Sequence, residues 1–424
     1  MKTTTTNPQS QNNSMAVLSF DVSKDRLNLA ACIAGRLSDH EFANRTPVIE
    51  EQLKAWLRRA QMAGHDRLLV VCEPTGCYHE PLLQTARRLG LETAWVSGEA
   101  VFKMRAIETN DSGKTDIKDP HVIGTLAQMG KTLTCRHYDE PYSLLREWHG
   151  LYDQADVGVV RAKCLMASQI KALFPDYDFQ KDFLYSKSGS ALLTHYGANP
   201  YRIVRVGKTR FAMVMRKHAP RIRQTTLDCL YTQAENSVRN QLSPRLNNIM
   251  ERRLIQSWED YLHYEKRKQE AQEQMEALYR EARQLDPQLP AAEKGVITDF
   301  HLARLLAETG PVSDFASLRK FMRYAGLNIR MKQSGKFKGK NKLSKKGRSL
   351  LRKALSQIVL PLVKKTGLFG PYYHGKKAHG MSGTKAMAAV MRKFLKLFYG
   401  WYKSGGAFDR TRVFACESQY GVAA

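Results

Sequence analysis

Between residues 16 and 107, short apolar runs alternate with stretches of helical spacing, and this alternation restricts the fold more than any other feature of the chain. Residues 16–20 and 27–33 read as strands able to pair as a hairpin. Residues 68–72 form an unbroken Leu-Leu-Val-Val-Cys run that suits a strand buried on both faces. Ile49, Leu53, Trp56, Leu57 and Ala60 mark a helix over 47–63. Helices are also predicted over 79–89 and 100–107, with a strand over 92–96 between them. Strands interleaved with helices argue for an α/β sheet with flanking helices.

Asp21 and Glu73 then each fall at the carboxyl end of a predicted strand, where sites are built in open α/β sheets. Two more carboxylates, Asp116 and Asp119, follow in Lys114-Thr115-Asp116-Ile117-Lys118-Asp119-Pro120. Pro120 suits the first position of a helix, which makes Asp119 a candidate N-cap and leaves Asp116 just before the helix. Taken singly, Asp119 reads as a cap and Asp21 as a turn residue. Taken together, four carboxylates at strand ends and a helix start can hold two Mg²⁺ ions, which take oxygen ligands and retain water. Two such ions clamp the attacking and leaving oxygens of a phosphodiester displacement.

The charge distribution points the same way. Residues 315–408 carry 23 Lys and Arg and no Asp or Glu, so only +4 of the chain's net +27 lies elsewhere. Cations concentrated on one segment displace condensed counterions from a nucleic-acid backbone. Helical apolar spacing flanks the basic run, which argues against a mere solubilising tail. No run approaches a membrane span. Seven scattered cysteines without a Cys-x-x-Cys pair indicate neither zinc nor a disulfide framework, and suit a reducing cytoplasm. Residues 1–14 lack a signal-peptide core and are expected to be a disordered tail, with Met15 as a candidate start.

Residues 142–174 have helical spacing and end at Pro175. Ser243-Pro244 looks like an N-cap and first-turn proline opening a long helix to about Leu285, charged through 265–273. That helix is either an oligomerisation arm or half of an intramolecular hairpin with 142–174. The intervening stretch of about 175–241 identifies no chemistry. Further on, 302–306, 318–324, 350–362 and 386–402 suggest a small, mostly helical DNA-binding domain. Between its helices, residues 333–348 read as a flexible, phosphate-seeking loop. Lys332, Lys336, Lys338, Lys340, Lys342, Lys345, Lys346 and Arg348 are its candidate nucleic-acid contacts. Ser334 lies among them, and its chemistry alone suits a phosphate contact better than a nucleophile; Ser344 and Ser349 compete with it. His374 and His379 could bind metal, although phosphate or core contacts suit them better.

These motifs resemble those of the DEDD recombinases of the insertion-sequence family one-ten, with the Piv/MooV DNA invertases. Ser19-Phe20-Asp21-Val22-Ser23-Lys24, Cys72-Glu73-Pro74-Thr75-Gly76-Cys77-Tyr78 and Lys114-Thr115-Asp116-Ile117-Lys118-Asp119 supply the acids in family order. Phe321-Met322-Arg323-Tyr324-Ala325-Gly326-Leu327, the Ser334-Gly335 loop and Leu343-Ser344-Lys345-Lys346-Gly347 follow in the same order. The resemblance implies an α/β RuvC-like, RNase H-type N-terminal domain whose Asp21, Glu73, Asp116 and Asp119 hold Mg²⁺. It implies a helical, coiled-coil middle and a basic, mostly helical transposase domain with Ser334 as nucleophile. It further implies donor and target DNA, a bridge RNA guide, a homodimer or homotetramer with composite sites, and a bacterial, nucleoid-associated setting. The domain limits expected are 15–135, 136–290 with an insertion at about 175–241, and 291–412, followed by a tail over 413–424. The competing expectations are an invertase without an RNA guide, an RNase H-type nuclease using water, and a non-catalytic nucleic-acid-binding protein.

Overall fold

The computed structural model describes residues 15–109, 118–180, 182–239, 242–330, 333–334, 337–339, 342–405, 408–410 and 413. The chain divides into two compact units, one ending at His137 and the other beginning at Tyr138.

The first unit is built on one six-stranded sheet of order β3-β2-β1-β4-β5-β6. Strands β1 (Met15–Val22), β2 (Arg26–Ile33) and β3 (Arg36–Ala43) form an antiparallel meander. Helix α1 (Thr46–Met62) returns the chain to β4 (Arg67–Cys72), which runs parallel to β1. Helix α2 (Glu80–Arg88) leads to β5 (Glu92–Trp95), parallel to β4. Helices α3 (Gly98–Thr109) and α4 (Lys118–Gln128) precede β6 (Leu133–Thr134), which closes the sheet antiparallel to β5.

Strand alternation sorts the core into two layers. Leu18, Phe20 and Val70 pack with Ile49, Leu53 and Trp56 of α1 and with Leu82 and Leu83 of α2. Val17, Leu69 and Val71 pack instead with Val122, Ile123 and Leu126 of α4. β4 is thus covered on both faces, as its unbroken apolar run predicts. Strand β3 is absent from the sequence reading because it is almost wholly exposed and carries Arg, Ser, Asp, His and Glu.

In the second unit, α5 (Glu140–Leu173) and α10 (Pro244–Leu285) pack along each other. The hairpin alternative for the long helix is therefore the one realised within this chain. Ser243 caps α10 by accepting from the Leu246 amide at 3.3 Å. A β-carbon on Gly158 would lie 2.5 Å from the Tyr264 ring, so this glycine lets the two helices approach closely. Between the long helices, α6 (Lys187–Tyr196), α7 (Pro200–Val206), α8 (Lys208–His218) and α9 (Gln224–Val238) enclose their own apolar core.

The chain continues through α11 (Asp299–Thr309) and α12 (Leu318–Tyr324) into four short strands. These are β7 (Ile329–Arg330), β8 (Gln333–Ser334), β9 (Phe337–Lys338) and β10 (Lys342–Leu343), with β7 paired to β10 and β8 to β9, both antiparallel. Within the expected loop, the described residues 333–334, 337–338 and 342–343 thus pair as short strands, called the ribbon below. Helices α13 (Ser349–Leu362), α14 (Gly370–Ala378) and α15 (Gly383–Ser404) complete the unit. Among the described residues, no helix is long and apolar enough to cross a membrane.

Candidate functional site

The β1–β4 register sets the first half of the site. Phe20 pairs with Cys72, so Asp21 and Glu73 each lie one residue beyond that pair, at the same end of adjacent parallel strands. Both are partly buried. Gly98, opening α3, makes room for the Glu73 carboxylate: a β-carbon there would lie 3.3 Å from the carboxyl carbon and overlap Oε1.

Helix α4 points its first turn toward the same end. Near its C-terminus, Gln128 meets Cys32, which pairs with Val17. One turn earlier, Gly124 lies against Ser19, where a β-carbon would come within 2.9 Å of the hydroxyl. The helix therefore runs antiparallel to β1, and its N-terminal turn is directed at the end that carries Asp21.

Asp119 lies in that turn, 3 % exposed, but it is not the cap the sequence suggests, because the helix already begins at Lys118. Its carboxylate instead takes a bidentate pair from Arg105 of α3, with Nε donating to Oδ1 at 2.5 Å and Nη2 to Oδ2 at 2.6 Å. Arg105 carries no signal in the sequence, since an ion pair across two helices leaves no periodicity. Asp116 lies outside the described residues. Among the described residues, no three His, Cys, Asp or Glu side chains converge closely enough to hold an ion. The donor set nevertheless fits a hard dication, being all oxygen, with two members on adjoining strand ends and one cleared by a glycine. Cys72 is no competing nucleophile: burial, then the nearby Cys135, Glu80 and Glu73, push its thiol up to about 12.

The serine-bearing ribbon belongs to the second unit. Ser334 is in register with Phe337 across β8 and β9. Lys332, Lys336 and Lys340 lie outside the described residues, and only the backbone course is described for Ser334 and Lys338. Lys342, Lys345 and Lys346 are exposed, as phosphate contacts require. Arg348 is partly exposed and also has a partner inside the protein. Its Nε donates at 3.0 Å to Oε2 of Glu308, a residue 1 % exposed. Arg348 thus anchors the base of the ribbon through its Nε.

That anchor is part of a buried chain of polar groups. Glu308 Oε1 lies 3.1 Å from His149 Nδ1, while Arg304 Nε donates to His149 Nε2 at 3.3 Å. An arginine only donates, so Nε2 is an acceptor and the proton sits on Nδ1, facing Glu308. Burial pushes the Glu308 carboxyl up, but His149 and Arg348 outweigh it and hold the group below the ordinary glutamate range. The ribbon's return is also tied by backbone: Ser344 N donates to Asn328 O at 2.8 Å and Lys345 N to Gly326 O at 3.0 Å. Gly326 takes φ +68°, and a β-carbon on Gly347 would overlap the Tyr324 carbonyl, so both positions favour glycine. His374 falls on α14 and His379 just past its end, where His379 Nδ1 lies 2.7 Å from Gly375 O of that helix. Neither belongs to a metal-binding group among the described residues.

Two family models match the chain. A DEDD transposase model of the IS110 group matches residues 19–175, spanning the acidic sheet end. A second model, described as the transposase IS116/IS110/IS902 family, matches residues 296–374, spanning the serine ribbon and its anchor. No curated protein matches the chain. With both halves matched in order, the chain belongs to the DEDD transposases of the IS110 family. It is a DNA transposase, and DNA is its substrate class.

Proposed function

We propose that this transposase cuts and exchanges DNA strands through Ser334, with Asp21, Glu73, Asp116 and Asp119 forming the metal-holding half of a RuvC-like site. Adjacent placement of Asp21 and Glu73 at parallel strand ends, with Gly98 clearing room for Glu73, carries the reading. In the proposed step the Ser334 Oγ–P bond forms as the P–O bond to the departing strand breaks. The serine proton leaves, and the departing oxygen takes one up. The serine-linked phosphate then passes to another strand by the reverse exchange. The four carboxylates would hold Mg²⁺, which when bound supplies Lewis-acid stabilisation of charge on the phosphate oxygens. Exposed Lys342, Lys345 and Lys346 grip the backbone near the serine, and the Arg348–Glu308 pair keeps the ribbon oriented. For Asp119 to join the carboxylate set, its oxygens must exchange Arg105 for the ion.

The protein is proposed to act as a homodimer or homotetramer on donor and target DNA, with a bridge RNA selecting the sites. The test is a covalent protein–DNA adduct that survives denaturation. Wild type should form it and Ser334→Ala should not. Cleavage by Ser334→Ala at the wild-type rate without an adduct would replace this reading with a water-using nuclease. Excision without any co-purifying RNA would remove the guide and leave an invertase-type enzyme.

A further inference from the structure

Helices α6 to α9 form a small helical body to which neither family match extends: one ends at residue 175 and the other begins at 296. Beside its core lies a cavity of about 430 Å³, within the size range of ligand sites. It lies between the turn before α6, α6 itself, the end of α8 and the stretch of α10 that carries Trp258, Tyr261 and Leu262.

Its lining is dominated by flat rings. Tyr185, Trp258 and Tyr261 contribute three, and His195 and His218 two more. The Tyr185 and Tyr261 rings lie with centroids 4.9 Å apart, and Lys163 Nζ sits 4.6 Å from the first and 5.2 Å from the second. The two imidazoles lie 3.8 Å apart at an interplanar angle of 37°, a near-stacked pair. Burial, then His218 and Lys217, lower the pKa of His195 and favour its neutral ring. No acidic side chain lines the cavity.

The segment that builds α6 to α8 is strongly basic, while on the α10 side Glu265 pairs with Lys163 at 3.9 Å. From 187 to 223 the chain carries nine Lys and Arg and no Asp or Glu. Lys187 lines the cavity itself and is exposed. Aromatic faces set within a cationic surface recognise planar groups attached to phosphates. A base inside a duplex is stacked on its neighbours and cannot enter a concave pocket. An unpaired base can, and stacking on aromatic side chains is the usual way proteins hold one.

We propose that this cavity receives an unpaired nucleobase of a single-stranded nucleic acid, with the ring against Tyr185, Trp258 and Tyr261 and a flanking phosphate at Lys187. RNA and DNA share that chemistry, and the assay separates them. The inference does not rest on the strand-exchange reading, because a chain unable to cut DNA would still carry this pocket.

The test uses the full-length protein and short single strands bearing one photoreactive 4-thiouracil (RNA) or 4-thiothymine (DNA), with adducts mapped by mass spectrometry. Adducts on Tyr185, Trp258 or Tyr261 are expected, with the matching duplex giving none there. Labelling by only one of the two strands also supports the pocket and identifies its source. Trp258→Ala should lower the yield at this segment by about five-fold or more, as expected for losing one stacking partner. Trp258→Phe should retain most of it. Lys187→Ala changes only an exposed rim residue and should weaken labelling without changing the melting temperature, which keeps the test decisive if Trp258→Ala unfolds. Adducts confined to residues 315–408, or Lys187→Ala and Trp258→Phe both indistinguishable from wild type while Trp258→Ala folds and labels fully, would overturn the proposal.

Discussion

Gly98→Ala probes the acidic end of the sheet with one methyl group. The backbone at Gly98 lies outside the left-handed region, so alanine is conformationally acceptable there. The new β-carbon would overlap Glu73 Oε1 and sit 3.3 Å from the carboxyl carbon. Restoring a normal contact requires the carboxylate to move by about 1 Å. That carboxylate ends a flexible side chain, so the move costs little, and alanine is favoured over glycine in a helix by up to ~1 kcal/mol. Net stability should therefore stay within about 1 kcal/mol of wild type. Activity should not: a displacement of about 1 Å at a reacting centre costs on the order of 100-fold. The measurement is Ser334–DNA adduct formation against Mg²⁺ concentration, paired with thermal unfolding by circular dichroism. Gly150→Ala is the control, since its β-carbon would meet nothing within 4 Å, and it should be neutral or slightly stabilising. Full adduct formation by Gly98→Ala, at unchanged Mg²⁺ dependence, would refute Glu73 as a positioned ligand. A loss of several kcal/mol in stability would refute the claim that Glu73 can give way cheaply.

Three further perturbations bear on the supports of the two half-sites. Arg105→Gln strands the buried Asp119 carboxylate and should destabilise the protein by ~3 kcal/mol without divalent ions. If Asp119 is a metal ligand, Mg²⁺ should raise the melting temperature of Arg105→Gln more than that of wild type; equal shifts would remove Asp119 from the ligand set. His301 is lowered to about 4 by burial and the nearby Arg304, against an ordinary 6.5. The unfolded chain thus binds the extra proton first, so stability falls as pH drops from 6.5 toward 4, by ~1–2 kcal/mol after allowing for solvent reaching the ring. Denaturant titrations should show His301→Gln losing that slope. The Glu308 carboxyl, held below its ordinary 4.5, stabilises the fold above that pH and ceases to do so only at lower pH. Glu308→Gln should flatten this more acidic limb and speed hydrogen exchange in the ribbon amides, and unchanged exchange would mean that the Arg348 anchor does not order the ribbon.

What could be read from the sequence divides by the range of the interactions involved. The cap of α10 at Ser243-Pro244 and the buried strand β4 were legible because their signals span a few residues. Asp21 and Glu73 were legible for a related reason: an apolar run that stops at an acid fixes that acid at a strand end, and parallel pairing aligns the two ends. Asp119 is not the cap that Pro120 suggests, because Lys118 before it is already helical. The ribbon was hidden by composition, since Lys, Gly and Ser between 333 and 348 suggest a loop, and only the pairings of β7 with β10 and β8 with β9 reveal strands. Arg105 and Glu308 were invisible, since their partners are fixed by packing between helices; His149 lies 159 residues from Glu308.

The two half-sites consequently depend on their surroundings in different ways. Sheet register alone sets Asp21 beside Glu73, and the hydrogen bonds of β1 and β4 would preserve that spacing through many side-chain changes. The ribbon, by contrast, leaves the helical body between Asn328 and Arg348, and the ties described there are made at its base. Its orientation is imposed from outside, by the Glu308–Arg348 pair, the close approach at Gly326 and Gly347, and the backbone bonds at Asn328 and Gly326. A proposed nucleophile on a short ribbon can travel with DNA during strand exchange more readily than one fixed in a sheet. The anchor must then limit that travel without abolishing it. A charge-assisted pair at 3.0 Å, with Arg348 partly exposed, meets that requirement better than an apolar contact would.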